Sequence, residues 1–375
     1  MNSKNIDWVS ATFLIGYQLL FLICLPLYLV FCAQSWELWI TMVILIALCG
    51  LSITAFYHRF YSHKTYLVSK VVETMAIFFG TLTMQGSVLE WSHDHRLHHK
   101  HVDTDKDPYC IKKGFWYAHF TWMLLRDDNF DHQIVQDLKK NPLVMFQHRY
   151  YAILLTLANL AVMLFFGWLF NDFVGAFVLL VLTRMFINHH VTWFINSLAH
   201  TWGVQPYSRE HTAVNNWIVA ILTLGEGYHN FHHTFAGDYR NGVRWYQIDP
   251  TKLVIWTLSK VGLARGLRKV DRTVIARKLL TADRKLMLDR VSQICHQEGE
   301  MMVAEINRKA DNLVQKLARF SNLNRDYKAL KKQRSKPEVR RLRFRIRRMR
   351  ETIRIELRAW SRYCDEILQL QPTLA

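Results

Sequence analysis

Between Asp7 and Glu37 the chain runs for 29 residues without a formal charge. That exceeds the roughly 20 apolar residues an α-helix needs to cross a bilayer. Leu38–Tyr57 adds 20 more uncharged residues. Two later stretches bring the expected spans to four, over 9–33, 38–57, 150–171 and 173–198. Inside a membrane the backbone must satisfy its own polar groups, so an all-α integral membrane protein is the expected class. The fourth span is interrupted by Arg184, Asn188, His189 and His190, which should face the bundle interior rather than lipid. Val71–Leu89 is also apolar, but Glu73, Gly80 and Gly86 make it read as interfacial or buried against protein. Met1–Val9 lacks a basic n-region, so the first apolar segment reads as a retained span, not a signal peptide.

The formal charge of +18 sits almost wholly at one end. Residues 1–264 carry 19 Lys and Arg against 17 Asp and Glu, whereas residues 265–375 carry 29 against 13. The chain therefore divides into a membrane-embedded region, 1–264, and a basic tail, 265–375. The connections around 33–36 and 171–172 contain no Lys or Arg, while 58–149 and the region after about 200 contain many. By the positive-inside rule both termini lie in the cytosol, as do the long middle loop and the tail. Two helical hairpins of spans with a cytosolic helical cap result. The six cysteines, Cys24, Cys32, Cys49, Cys110, Cys295 and Cys364, show no C-x-x-C spacing, which argues against a disulfide framework or a cysteine zinc site.

In the tail, Val303, Ile306, Ala310, Leu313, Leu317, Phe320 and Tyr327 recur at helical spacing, and Val339 to Ile367 repeat the pattern. Pro337 stops the first stripe, so a helical hairpin or coiled coil turning near 332–336 is expected. Eleven of residues 331–350 are Lys or Arg. Anionic lipid headgroups, or an acidic partner protein, would suit that charge; nucleic acid is not expected beside a membrane anchor.

The 18 histidines are clustered. His58 and His63 form H-x-x-x-x-H; His95, His98 and His99 form H-x-x-H-H; His229, His232 and His233 repeat it. Neutral imidazole suits iron, zinc and copper. On a helix, positions i, i+3 and i+4 share a face, so each H-x-x-H-H should aim three nitrogens at one point. The first pair is spaced by five, which a regular helix does not align; unwinding at the end of the second span would let His63 turn back. Eight motif histidines exceed what one metal can hold, so two metals are indicated. No Glu-x-x-His pairs of a carboxylate-bridged centre occur in the spans. Glu90, Asp94, Asp103, Asp105, Asp107 and Glu226 are candidate acceptors that would orient the rings.

These motifs resemble the integral-membrane fatty acyl desaturases of the stearoyl-CoA Δ9 type. The resemblance covers roughly residues 30–262, through HRFYSH (58–63), EWSHDHRLHHKHVDTDKDPY (90–109), KKGFWYAHFTWML (112–124), NSLAH (196–200), GEGYHNFHH (225–233) and DYRNGVRWYQIDPTK (238–252). It implies a nine-histidine site made of His58, His63, His95, His98, His99, His200, His229, His232 and His233, with Asn196 acting through a water. It also implies two iron ions, O2 as co-substrate and a fatty acyl thioester as substrate. The tail has no His-Pro-Gly-Gly haem motif, so electrons are expected from a separate cytochrome b5-like or ferredoxin-like protein. Where animal members have Trp-Ala-Arg-Asp, with the Arg at the CoA end, this chain has Trp91-Ser92-His93-Asp94. Trp91, Arg96, Lys112, Lys113 and Trp193 are candidate substrate contacts. Desaturation of unactivated CH2 groups lies beyond any side-chain base, so the metals must supply the oxidant. A lipid or alkane hydroxylase, an acyl-lipid desaturase and a structural zinc protein are the rival readings.

Overall fold

The computed structural model describes residues 6–125, 130–294, 299–332 and 336–370. Cys295 and His296 lie outside the described residues, as does most of the tail turn expected at 332–336. Two compact units are present, one formed by 1–205 and 210–269, the other by 206–209 and 270–375.

In the first unit, α1 (Trp8–Phe31) begins at Asp7, whose carboxylate accepts from the backbone N–H groups of Val9 and Ser10. Its 24 residues extend about 36 Å at 1.5 Å per residue, enough to cross the hydrocarbon core. Helix α2 (Trp36–Leu51) follows after a short turn and continues without a break into a π-helix, Ser52–Ser62. Then come α3 (Lys70–Leu82), α4 (Val88–His101), α5 (Tyr151–Leu169) and the fourth long segment, Phe173–His200. That last segment contains its own π turn at Ala176–Thr183, then α6 (Arg184–Ser197) and a 3-10 turn at Leu198–His200. Among the described residues four helices are long and apolar enough to cross a membrane: Trp8–Phe31, Trp36–Ser62, Tyr151–Leu169 and Phe173–His200. Leu19, Leu22 and Ile23 on α1, and Ile153, Leu157 and Leu164 on α5, are exposed on the outer surface. Such apolar faces are stable only against lipid. Trp8, Trp36 and Trp168 are exposed at span ends, where amphipathic rings settle.

The interrupted fourth span folds as its polar residues demand. Arg184 is 0% exposed and its guanidinium donates to Leu180 O at 2.6 Å, Leu82 O at 2.8 Å and Asn159 Oδ1. His189 is held between the Tyr17 hydroxyl, 2.8 Å away, and the Thr83 carbonyl, 2.7 Å away. At 13 residues α3 is too short to span. It buries Val72, Ala76 and Gly80 on protein and leaves Val71, Met75 and Phe78 outward, the arrangement of an interfacial helix.

The second span departs from expectation. The chain does not unwind at His58; it widens. The His63 N–H donates to the His58 carbonyl at 3.1 Å, a bond across five residues. The i→i+5 bond of a π-helix brings the fifth residue back toward the first, and the two rings of H-x-x-x-x-H lie with centroids 4.9 Å apart. A two-residue strand, Leu67–Val68, then pairs antiparallel with Ala264–Arg265 (Leu67 opposite Arg265).

Among its described residues the second unit holds three helices, α8 (Arg272–Ile294), α9 (Gly299–Lys332) and α10 (Lys336–Gln369), rather than the two of a hairpin. Ile306, Ala310, Leu313 and Leu317 of α9 and Ile353, Trp360, Cys364 and Ile367 of α10 form one core with Leu280, Met287 and Val291 of α8. The α8 residues carry a sparser apolar stripe, which the charged residues between them obscure.

Candidate metal centre

Helix α4 is started by a capping box: the Ser87 hydroxyl accepts from the Glu90 N–H, and Glu90 accepts from the Ser87 N–H. That fixes the register carrying His95, His98 and His99 inward. The third motif sits on α7 (His229–Thr234), a helix of 6 residues. Its approach needs glycine twice. Gly225 has φ +111, and a Cβ on Gly227 would lie 2.1 Å from the Ala220 nitrogen. Between them Glu226 is directed at His58. His200 ends the fourth long segment.

Among the described residues nine imidazoles converge in two clusters, each with its ligating nitrogens within 4.8 Å of one another. His58, His63, His95, His99 and His232 form the first; His98, His200, His229 and His233 form the second. The sequence reading that each H-x-x-H-H aims three nitrogens at one point is corrected here. His95 and His99 serve the first cluster and His98 the second, whereas His229 and His233 serve the second and His232 the first. An i, i+4 pair stacks along one line of a helix, and i+3 falls 60° to one side, so the motif feeds two points.

Within the first cluster the Nε2 atoms of His58 and His232 are 2.9 Å apart, those of His63 and His95 2.8 Å, and those of His99 and His232 2.9 Å. In the second they are 3.3 Å for His98–His233, 3.1 Å for His200–His229 and 3.0 Å for His229–His233. Ligands about 2.0–2.1 Å from a metal and at right angles to each other are separated by about 3 Å, so the spacing fits a coordination shell. The outer nitrogens fix the tautomers. Nδ1–H of His58 donates to Glu226 at 2.9 Å and that of His98 to Asp107 at 2.8 Å. Thr212 gives its hydroxyl proton to Asp103 at 2.6 Å, so its oxygen accepts the Nδ1–H of His200 at 2.7 Å. Each of these three rings therefore turns a lone pair inward.

Burial first, and the neighbouring rings second, hold His63, His95, His99, His229, His232 and His233 well below the ordinary imidazole range. They are neutral and free to ligate at physiological pH. The sign follows for chelator-stripped protein. Below the ordinary imidazole value of 6.5 the unfolded chain takes up protons that the folded chain refuses. Melting temperature should therefore be level above about pH 7 and fall steadily as pH drops below about 6.5; a flat profile down to about pH 5 would contradict this.

A cavity of about 500 Å³ opens beside the clusters and reaches His58 and His95 of one and His98 and His229 of the other. Asn196, Trp91 and Trp193 line it, as do Leu14, Ile53, Met84 and Met123. Trp91 stacks on His95 with centroids 5.0 Å apart. Arg96 does not line it: its guanidinium is bound to Ser62 O at 3.0 Å, Ile134 O at 2.7 Å and Asp137 at 2.6 Å. Lys112 and Lys113 lie exposed on a 3-10 turn, Ile111–Lys113, with Lys113 donating to Asp105 O at 3.2 Å. Sequence reading missed Tyr109, whose ring stacks on His98 at 4.4 Å, and Thr212. It also missed Arg59, which is buried and donates to Glu226 at 2.8 Å and to Asp249 at 3.1 Å. Only the adjacency of Arg59 to His58 could have signalled it.

Among the described residues, four apolar spans and two histidine clusters that could each hold a metal ion define an integral membrane protein with a candidate metal centre. Residues 34–264 match the family described as fatty acid desaturase, and the chain belongs to that family. It is 39% identical over 288 residues to a probable acyl-CoA desaturase of Schizosaccharomyces pombe, covering 76% of this chain and 59% of the relative. It is 41% identical over 242 residues to acyl-CoA desaturase 1 of Saccharomyces cerevisiae, covering 64% of this chain and 48% of the relative. The chain thus spans about half the length of these two yeast proteins. An sn-1 stearoyl-lipid 9-desaturase of Anabaena variabilis is 32% identical over 274 residues, covering 72% of this chain and 96% of the relative.

Proposed function

We propose that the chain is an O2-dependent desaturase that places a cis double bond, at Δ9, in a saturated long-chain acyl group carried by CoA. The nine clustered histidines would hold two iron ions, and Asn196, four residues before His200, would hold a water at the second cluster. The observation that carries the reading is the meeting of both clusters at one cavity with apolar walls. When bound, the irons supply the oxidant: O2, two external electrons and two protons convert –CH2–CH2– to –CH=CH– and two waters. The chain's own part is positional. Leu14, Ile53, Met84 and Met123 take the acyl chain out of water, and Trp91 and Trp193 limit where a carbon pair can rest. Glu226, Asp107 and Thr212 hold the rings in the tautomer that ligates. Electrons would come from a separate cytochrome b5-like or ferredoxin-like protein. Charge asymmetry supports a cytosolic position for both termini, at a bacterial inner membrane or the endoplasmic reticulum.

One observation favours an acyl-lipid carrier as a second reading. Among the described residues lining the cavity there is no Lys or Arg, while Asp7, Glu90 and Asp94 are present. A relative matched along 96% of its length is named a stearoyl-lipid 9-desaturase.

Cells expressing the chain should gain a cis-monoene, located by gas chromatography–mass spectrometry after double-bond derivatisation. Feeding labelled stearoyl-CoA or labelled phospholipid to membranes separates the two carriers. Hydroxylated products in place of the monoene would overturn desaturation.

A further inference from the structure

The outward face of α10 is a cationic surface with two apolar side chains set into it. Leu342, Ile346, Ile353 and Trp360 are buried, the last two in the three-helix core. Arg340, Arg341, Arg343, Arg345, Arg347, Arg348 and Arg350 are all exposed, and no acidic residue stands between 339 and 350. None of these seven makes an ion pair among the described residues. Phe344 is 69% exposed and Ile355 58% exposed. They are eleven residues apart, about three turns, so they share one stripe, with Arg347, Arg348 and the exposed Glu351 between them. Against water alone a bundle gains nothing by presenting Phe and Ile there.

We propose that this face is a peripheral docking surface for the anionic headgroups of a phospholipid leaflet, with Phe344 and Ile355 entering the headgroup–acyl boundary. Arginines on long stems reach phosphate while the helix lies in the interface, the geometry of amphipathic surface helices. The same polypeptide carries the membrane spans, so the surface meets lipid at high effective concentration. An extended polyanion such as RNA would answer the charge but leave Phe344 and Ile355 without a role. The inference rests on the membrane anchoring and the composition of α10, not on the desaturase reading.

The test uses the full chain in nanodiscs and follows tryptic cleavage after Arg340 to Arg350 by mass spectrometry, with cleavage after Arg277 of α8 as internal reference. Cleavage in α10 relative to Arg277 should be about ten-fold slower in discs containing phosphatidylglycerol than in pure phosphatidylcholine. The difference should vanish near 1 M salt, where the Debye length is about 3 Å. The double variant Phe344→Ser/Ile355→Ser, which keeps every cleavage site and the core, should lose about three-fold of the protection. Equal relative cleavage in both discs overturns the proposal. So does protection in phosphatidylcholine discs that appears only when RNA or an acidic protein is added.

Discussion

Replacing His98 with alanine is expected to abolish the proposed monoene formation and to lower by one the number of metal ions the purified protein binds. Among the described residues His98 supplies one of the four nitrogens in its cluster, 3.3 Å from that of His233, so its loss leaves three. The substitution also strips the buried Asp107 of the Nδ1–H it accepts at 2.8 Å. Asp107→Asn makes a graded comparison. The ring stays, but its charged acceptor is gone, and such outer partners are worth about 10–100-fold in metal affinity. Elemental analysis of protein from the same membranes gives the stoichiometry, and fatty-acid profiling gives the activity. A full complement of two metals in the His98→Ala protein would remove His98 from the ligand set.

Arg59→Met should be the most damaging change outside the imidazoles. The side chain is fully enclosed, and its guanidinium donates to both Glu226 and Asp249 and, at 2.9 Å, to Tyr239 O. Asp249 in turn accepts from the Asn241 and Gly242 N–H groups at 2.9 and 3.0 Å, and Glu226 from Asn241 Nδ2 at 2.6 Å. Methionine fills similar space but leaves two buried carboxylates with less compensation, a loss of about 3–5 kcal/mol. For a unit of this size that corresponds to a melting point lower by roughly 10 °C. Lysine, a point charge without the planar fork, should recover only part of it. Melting of metal-stripped wild type and variant isolates this term from ligation, and an unchanged melting point would show the network to be dispensable.

The membrane segments were legible because absence of charge over a bilayer's thickness is a strong constraint, and few alternative structures satisfy it. Arg184 looked like an objection to the fourth span, yet it is the residue most completely wrapped by Leu180, Leu82 and Asn159. What could not be read was the kind of helix. A π-helix leaves the apolar pattern of 52–62 almost untouched while changing which residues align, so the five-residue spacing of His58 and His63 suggested a break. The histidine motifs announced metals but not their division, because i+3 and i+4 look equivalent until a second helix shows where each ring ends. Arg59, Thr212 and Tyr109 were hidden for a different reason. Their importance lies in partners 167, 12 and 11 residues away, as with Glu226, His200 and His98, and no local pattern encodes such pairings. The third helix of the tail escaped notice because its core residues are diluted by charge.

The crossed allocation of rings also sets a length scale. Helices α4 and α7 each contribute to both clusters, so the gap between the two nitrogen cages is metered by one residue's step along a helix, about 1.5 Å of rise and 100° of turn. Loops and lipid do not enter into that measure. A bilayer that thickens, thins or shears around the spans can tilt this scaffold as a whole, but the ruler is cut into the backbone and travels with it.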